Sequence, residues 1–453
     1  MKTVQECKKQ GKENRKAVPR SSMGEWKVET RRQVVEDLIR EQESTRQQHL
    51  LPLRHERMAA SPFAFFRGAA IIQAHDLATL PTTELRVQAV GDAHISNFGI
   101  FASPERRLVF DINDFDETSI APFECDIKRL MTSIEICGRN RGFAPEQRQA
   151  AIEQAARVYR NSMMKFSEMG NMDVWYQHLD LENFIAKDPH FTDPLQKTNI
   201  DETIKKALSK NSEKAIKKYT EIYDGKLRIK SDPPIIVPLR DLIGEDKVYY
   251  SFQHNIADAI KLYQKSLPNE RRSLIDQYEP LEMAHKVVGV GSVGTKAWIL
   301  IMMGQVEGDP LVLQIKEANA SVLERYFGAS TYKEHGRRVV EGQRSIQTAG
   351  DILLGWVKLV SPDGRIGDYY VRQLWDDKGT FDLDKIGVDG LTSLASICAW
   401  TLAHAHAKTG DRHAIAGYLG KGDKFEKAMM NYSKAYADQN EADYETFIMK
   451  FRR

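Results

Sequence analysis

The chain has 453 residues, 42% of them hydrophobic and 28% charged, with a formal net charge of +2, which fits a globular protein of two to three lobes or domains with a real core. So small a net charge provides no strong field for nucleic acid or an anionic membrane, and no apolar run approaches the roughly 20 residues that cross a bilayer. The cysteines Cys7, Cys125, Cys137 and Cys398 are scattered and form no CxxC pair, which argues against a disulfide scaffold or a zinc site; with a polar beginning unlike a secretory signal, the default expectation is a reducing, cytoplasmic location.

Residues 1–26 are polar, rich in Lys and Arg, and read as a flexible arm. From Thr30 to Ala60 the apolar residues recur at helical intervals, and Pro52 is expected to divide the stretch into two helices. Phe63, Phe65 and Phe66 read as core. Arg67 beside them needs a carboxylate or phosphate, because an unpaired buried charge is costly; a structural ion pair is the simpler choice.

Leu85 to Val90 predicts a strand that feeds Val90-Gly91-Asp92-Ala93-His94-Ile95-Ser96-Asn97-Phe98-Gly99. Leu108 to Asp111 is expected to be its hairpin partner, turned by Ser103-Pro104-Glu105-Arg106. It delivers Phe110-Asp111-Ile112-Asn113-Asp114-Phe115-Asp116-Glu117. A Gly-Asp-x-His loop, a nearby Asn and a strand-borne Asp form the pattern of a phosphotransferase catalytic loop. Asp92 would orient or deprotonate an acceptor hydroxyl. Asn97 and Asp111 would hold magnesium, with Asp114 in reserve, since that ion takes few protein oxygens and leaves the rest to the nucleotide. The plainer reading is helix capping and Asx-turns, but two such elements joined by a β-prone run favour chemistry. Asp126, at the start of the next helix, either caps it or braces the catalytic loop from behind.

Residues 145 to about 280 read as mostly helical, with helices over Gln147–Phe166 and Asp201–Asp224. Lys205, Lys206, Lys210, Lys214, Lys217 and Lys218 read as a solvated face, because acidic residues are interleaved. The character changes at Ala284. His285 to Ile301 is strand, glycine turn (Gly289, Gly291, Gly294) and strand, and Leu311 to Ala318 is a further strand carrying Lys316. A dinucleotide fingerprint would need the glycines to open a helix; Trp298-Ile299-Leu300-Ile301 favours a strand instead. Glycines in a hairpin followed by a strand lysine match a phosphate-covering loop and its lysine. The bland alternative is a plain hairpin with Lys316 reaching to solvent. A helix over Lys333–Thr348 offers Glu341, or one register away Glu334, as the partner of that lysine. Strands over Leu353–Val360 and Tyr369–Leu374, a hinge at residues 375–379, and helices over Leu391–Lys408 and Lys424–Tyr436 complete the chain. His404 and His406 are two apart on a helix, so they face opposite sides and cannot make a simple two-His metal site.

These pieces predict an α+β, two-lobed, protein-kinase-like fold with a small antiparallel β lobe and a large, mostly helical lobe. The order is circularly permuted: the catalytic loop and metal hairpin precede the glycine loop. The expected divisions are the arm at 1–26, a helical lobe at 27–283, the β lobe at 284–376, and helices at 377–453 that return to the large lobe.

Ser61-Pro62-Phe63-Ala64-Phe65-Phe66-Arg67-Gly68, the Asp92 loop, the Asp111–Glu117 run and Arg338-Val339-Val340-Glu341-Gly342-Gln343-Arg344 resemble the signatures of a bacterial family known as domain of unknown function 2252, over about residues 30–440. That resemblance brings no activity with it. The local motifs resemble those of aminoglycoside and choline kinases, in permuted order and with Asp114 and Asp116 as rivals to Asp111. The expected activity is ATP- and magnesium-dependent phosphoryl transfer to an unidentified small-molecule or protein acceptor. A nucleotide-binding regulator without turnover and a nucleotidyl transferase moving AMP are the other readings.

Overall fold

The computed structural model describes residues 2–451 except 32, 180–201, 203, 206–211, 224, 245–246, 288, 307, 362–363 and 375–378. Its strands in chain order are β1 (Arg86–Ala89), β2 (Phe98–Ala102), β3 (Leu108–Ile112), β4 (Ser119–Pro122), β5 (Thr220–Tyr223), β6 (Lys226–Ile229), β7 (Ile236–Pro238), β8 (Tyr278–Lys286), β9 (Ala297–Gly304), β10 (Pro310–Ala318), β11 (Gly355–Val360) and β12 (Ile366–Gln373). The last six form one antiparallel sheet in the order β11-β12-β10-β9-β8-β7. The others pair as β1 with β4, β2 with β3, and β5 with β6.

The unbroken apolar run in β9 follows from a sheet covered on both faces. Side chains alternate along a strand. Trp298, Leu300 and Met302 join Leu313 and Ile315 of β10 in a core beneath the helix Lys247–Gln264. Ile299, Ile301 and Val312 join a second core with Ala215 and Tyr219 of the helix Ser212–Tyr219. Each such side chain contributes roughly 1.5–3 kcal/mol when fully buried. The largest core packs the helices Glu124–Asn140, Pro145–Phe166, Val388–Thr409 and Lys424–Phe451 through residues such as Ile134, Ile152, Leu402 and Met429.

Several expectations are corrected. The first residues are not a free arm: Val4–Ala17 is a helix, capped reciprocally by Thr3 and Glu6. It lies so close to the helix Arg412–Leu419 that a Cβ on Gly11 would fall 1.9 Å from the carbonyl oxygen of Ala414. Arg15 Nε donates to the carbonyl of Tyr418 at 2.8 Å. The polar composition marks its outer face, and small residues make its inner one. The stretch from Thr30 to Ala60 does hold two helices, Val35–Glu43 and Leu51–Met58, but the break falls ahead of Pro52, which sits in the first turn of the second, where its missing N–H is harmless. The partner of β1 is β4, not β3, with Val87 opposite Ala121; the turn at 103–106 joins β2 to β3 instead. The helix expected over 201–224 is Ser212–Tyr219 followed by the β5–β6 hairpin around Gly225, whose φ is +70°; Lys206 and Lys210 lie outside the described residues. The six-stranded sheet takes strands from residues 236 and 278, ahead of the boundary expected at 284. Of the expected hinge, 375–378 lie outside the described residues, and Gly379 exchanges two backbone hydrogen bonds with Ile100 of β2, each 2.8 Å. Among the described residues, no helix is long and apolar enough to cross a membrane.

Candidate functional site

β1 ends at Ala89, and the chain turns sharply into the Asp92 loop. Gly91 has φ +86°, and a Cβ there would lie 2.0 Å from the carbonyl oxygen of Glu117, so only glycine fits. Asp126 holds the turn: its carboxylate accepts from Val90 N at 2.7 Å and Gly91 N at 2.9 Å. His406 Nε2 lies 3.1 Å from the same carboxylate, and Tyr159 Oη lies 2.7 Å from His406 Nδ1. A carboxylate partner fixes the proton on Nε2, and Nδ1 then accepts from the tyrosine. Asp126 therefore braces the loop, the second of the two roles open to it. His404 faces away, 2.7 Å from the carbonyl of Val174, as the two-residue spacing requires.

Asp92 Oδ1 accepts from Arg129 Nε at 2.8 Å. Arg129 is itself fixed by the carbonyl of Phe66 at 2.7 Å and by Gln73 Oε1 at 3.1 Å. Burial pushes the Asp92 carboxyl up, against the pull of Arg129 and Arg67. Asn97 Nδ2 donates to the Asp92 carbonyl at 2.6 Å, which closes the loop and leaves the amide oxygen as its remaining acceptor.

The acidic run divides by role. Asp111, expected as a magnesium ligand, is engaged elsewhere. It lies within β3, where Oδ1 accepts from Ile112 N at 2.8 Å and Oδ2 accepts from both the N–H and the hydroxyl of Thr348 at 3.0 Å. It pins the chain just beyond the helix His335–Ile346 and does not reach the cavity that holds Asp92. Asp114 does, because it lies on the loop past the strand end. Burial and the neighbouring Asp116 hold its carboxyl above the usual range.

The partner of Lys316 is Asp116, not Glu341 or Glu334. The ammonium is ion-paired to Asp116 Oδ2, while Tyr370 Oη donates to Oδ1 at 2.8 Å and Ser292 Oγ to Oδ2 at 3.3 Å. Burial opposes ionisation of Asp116, but Lys316 and Tyr370 outweigh it and the net shift is downward. The face of His335–Ile346 that meets this turn carries Arg338, which donates to the carbonyls of Thr118, Asp116 and Asn319. Glu341 sits round the helix, 3.7 Å from Arg344 and 4.0 Å from Arg337.

A cavity of about 280 Å³ lies between the Asp92 loop and the glycine hairpin. Asp92, Asn97, Asp114, Asp116 and Glu117 form one wall, and Gly291, Ser292 and Thr295 contribute to another. Of the three glycines singled out, only Gly291 lines it. Gly289 gives its carbonyl to Arg57, and Gly294 (φ +89°) receives Gln47 N at 2.8 Å while packing on Arg46. Arg46, Arg67 and Arg325 are also among the lining residues. Sequence spacing gave no signal for Arg46, Glu117 or Tyr370, because their neighbours come from distant segments. Among the described residues, no three or more His, Cys, Asp or Glu side chains are grouped to hold a metal. A divalent cation here would draw two protein oxygens, from Asn97 and Asp114, and the rest from a ligand.

The class so defined is a mixed α+β protein with a six-stranded antiparallel sheet, smaller two-stranded sheets, and a polar cavity walled by carboxylates and arginines. The chain belongs to the family described as "Uncharacterized protein conserved in bacteria (DUF2252)", whose model matches residues 46–450. Comparison with curated proteins and with solved structures gives no match. The matched span contains every residue of the cavity named above and excludes the docked first helix.

Proposed function

We propose that this chain is an ATP- and magnesium-dependent phosphotransferase on a two-lobed, circularly permuted kinase-like fold. The observation that carries the reading is the convergence of Asp92, Asn97 and Asp114 on one cavity, opposite Gly291 and Ser292 of the glycine hairpin. In this reading Asp92, oriented by Arg129, positions the acceptor hydroxyl and takes its proton. Asn97 and Asp114 hold the magnesium, which when bound offsets the charge of the phosphates. The hairpin covers those phosphates, and Lys316 keeps Asp116 ionised and in place behind them.

The test is thermal shift with ATP, with and without magnesium. The wild type should show a magnesium-dependent rise in melting temperature. Asp114→Ala should lose it, and Asp92→Ala should keep it while losing turnover. Release of ADP marks phosphoryl transfer, whereas pyrophosphate marks transfer of AMP and binding without either product marks a regulator. No shift with magnesium and ATP in the wild type sinks the proposal.

A further inference from the structure

Four buried arginines are ion-paired with carboxylates, whereas Arg372 is held by Gln314 Oε1 at 3.0 Å and the carbonyl of Asn113 at 3.2 Å. Arg31 pairs with Asp76 and Asp443, Arg54 with Glu43, Arg129 with Asp92, and Arg338 with Glu324. Two arginines at the cavity do not. Arg67 lies on the helix Pro62–Gly68, whose phenylalanines anchor it in the cores. Its Nε is buried with no hydrogen-bond partner, and no described carboxylate forms an ion pair with it. The carboxylates whose charge it feels are Asp92 and Asp114, the two residues given the acceptor and the metal above. Arg46 lies beside the glycine hairpin. It donates to the carbonyl of Val293 at 2.6 Å, and its Nε too is buried and unpartnered.

An unpaired guanidinium withdrawn from water is unfavourable unless a ligand supplies the anion. Arg67 lines the same cavity as Asp92 and Asp114, the residues that would hold the acceptor and the metal, and a phosphoryl group in transit must sit in that cavity. Arg46 flanks the same space from the hairpin side. A planar fork of donors suits such a group better than a point charge.

We propose that Arg67, flanked by Arg46, contacts the terminal phosphate of the nucleotide and stabilises the charge on it during transfer. This rests on the phosphotransferase reading. In the step, the bond from the terminal phosphorus to its bridging oxygen breaks and its electrons leave with ADP. A bond forms to the acceptor oxygen, whose proton passes to Asp92. Arg67 exchanges no proton; it gives hydrogen bonds that strengthen as charge redistributes over the phosphoryl oxygens.

The test compares wild type, Arg67→Met and Arg67→Lys by calorimetric titration with ADP and magnesium and with the non-hydrolysable analogue AMP-PNP and magnesium, alongside basal ATP hydrolysis. Arg67→Met should bind ADP as the wild type does, within about 2-fold, and AMP-PNP at least about 10-fold more weakly; hydrolysis should fall on the order of 10³-fold, as for a cis arginine. Arg67→Lys should recover part of the AMP-PNP affinity and little of the turnover. The melting temperature of ligand-free Arg67→Met should equal or exceed that of the wild type, because no native partner is lost. A lower melting temperature with equal loss for both nucleotides makes Arg67 structural and overturns the proposal. Unchanged affinity and turnover in both variants overturns it alone, whereas a wild type that binds neither nucleotide overturns the phosphotransferase reading with it.

Discussion

Glu117 lies in the cavity wall with Asp92 and Asp116, and accepts from Val322 N at 2.7 Å. Burial pushes its carboxyl from the ordinary 4.5 up to about 7, with the neighbouring carboxylates adding to the effect and Arg338 opposing it. A carboxyl raised in this way contributes stability that is complete below pH 4.5 and is lost as pH rises through 7. Glu117→Gln, fixed in the neutral form, should therefore remove roughly 2 kcal/mol of the decline in stability between about pH 5 and pH 8. Urea denaturation at a series of pH values checks this; parallel profiles for the two proteins would show that Glu117 ionises freely. At this scale the motif spacing was informative where function is local. Asp92 and Asn97 share one loop, and both reach the cavity. It placed Asp111 in a strand, where the structure has it, but it could not show that this carboxylate turns to Thr348 rather than to the cavity, or that Lys316 meets Asp116 rather than Glu341. Which carboxylate meets a strand lysine depends on segments 200 residues apart.

At the scale of elements, the loop that carries Asp92 is held by a single buried carboxylate. Asp126 serves two backbone N–H groups and His406 at once, and its side chain has no exposure. Asn can present only one acceptor oxygen, and its amide would confront an N–H. Asp126→Asn should cost about 3 kcal/mol of stability, measured by chemical denaturation, through a buried donor left unpaired. Tyr159→Phe, which removes only the hydrogen bond behind His406, should cost less, about 1 kcal/mol. Equal and negligible losses in both variants would show that the turn at Gly91 holds itself. Many strands were visible in the sequence as β-prone runs between turns, and the apolar run of β9 marked it as a strand rather than a helix. Their pairing was not visible: β1 finds β4 across the whole acidic run, since alternation states which face is apolar and not which strand lies alongside.

Over the whole molecule, the first helix closes on the last third of the chain. Gly11 and Gly417 let two helices approach until backbone meets backbone, and Arg15 caps the carbonyls of Gly417 and Tyr418. Gly11→Leu has no room to relax and should lower stability by about 2 kcal/mol. An unchanged urea midpoint would mean that this helix contributes nothing to the folded state. The sequence by itself determined the α+β class, many of the helices and strands, the Asp92–Asn97 loop and the lysine-bearing strand. These follow from hydrophobic period, turn residues and local motifs, which act over a few residues. Only the tertiary structure decided that Asp114 rather than Asp111 reaches the cavity, that Lys316 meets Asp116, that Arg67 lacks a carboxylate, and that the polar beginning is a docked helix. Each of these is a contact between segments far apart in the chain, fixed by how whole faces pack rather than by any spacing along it.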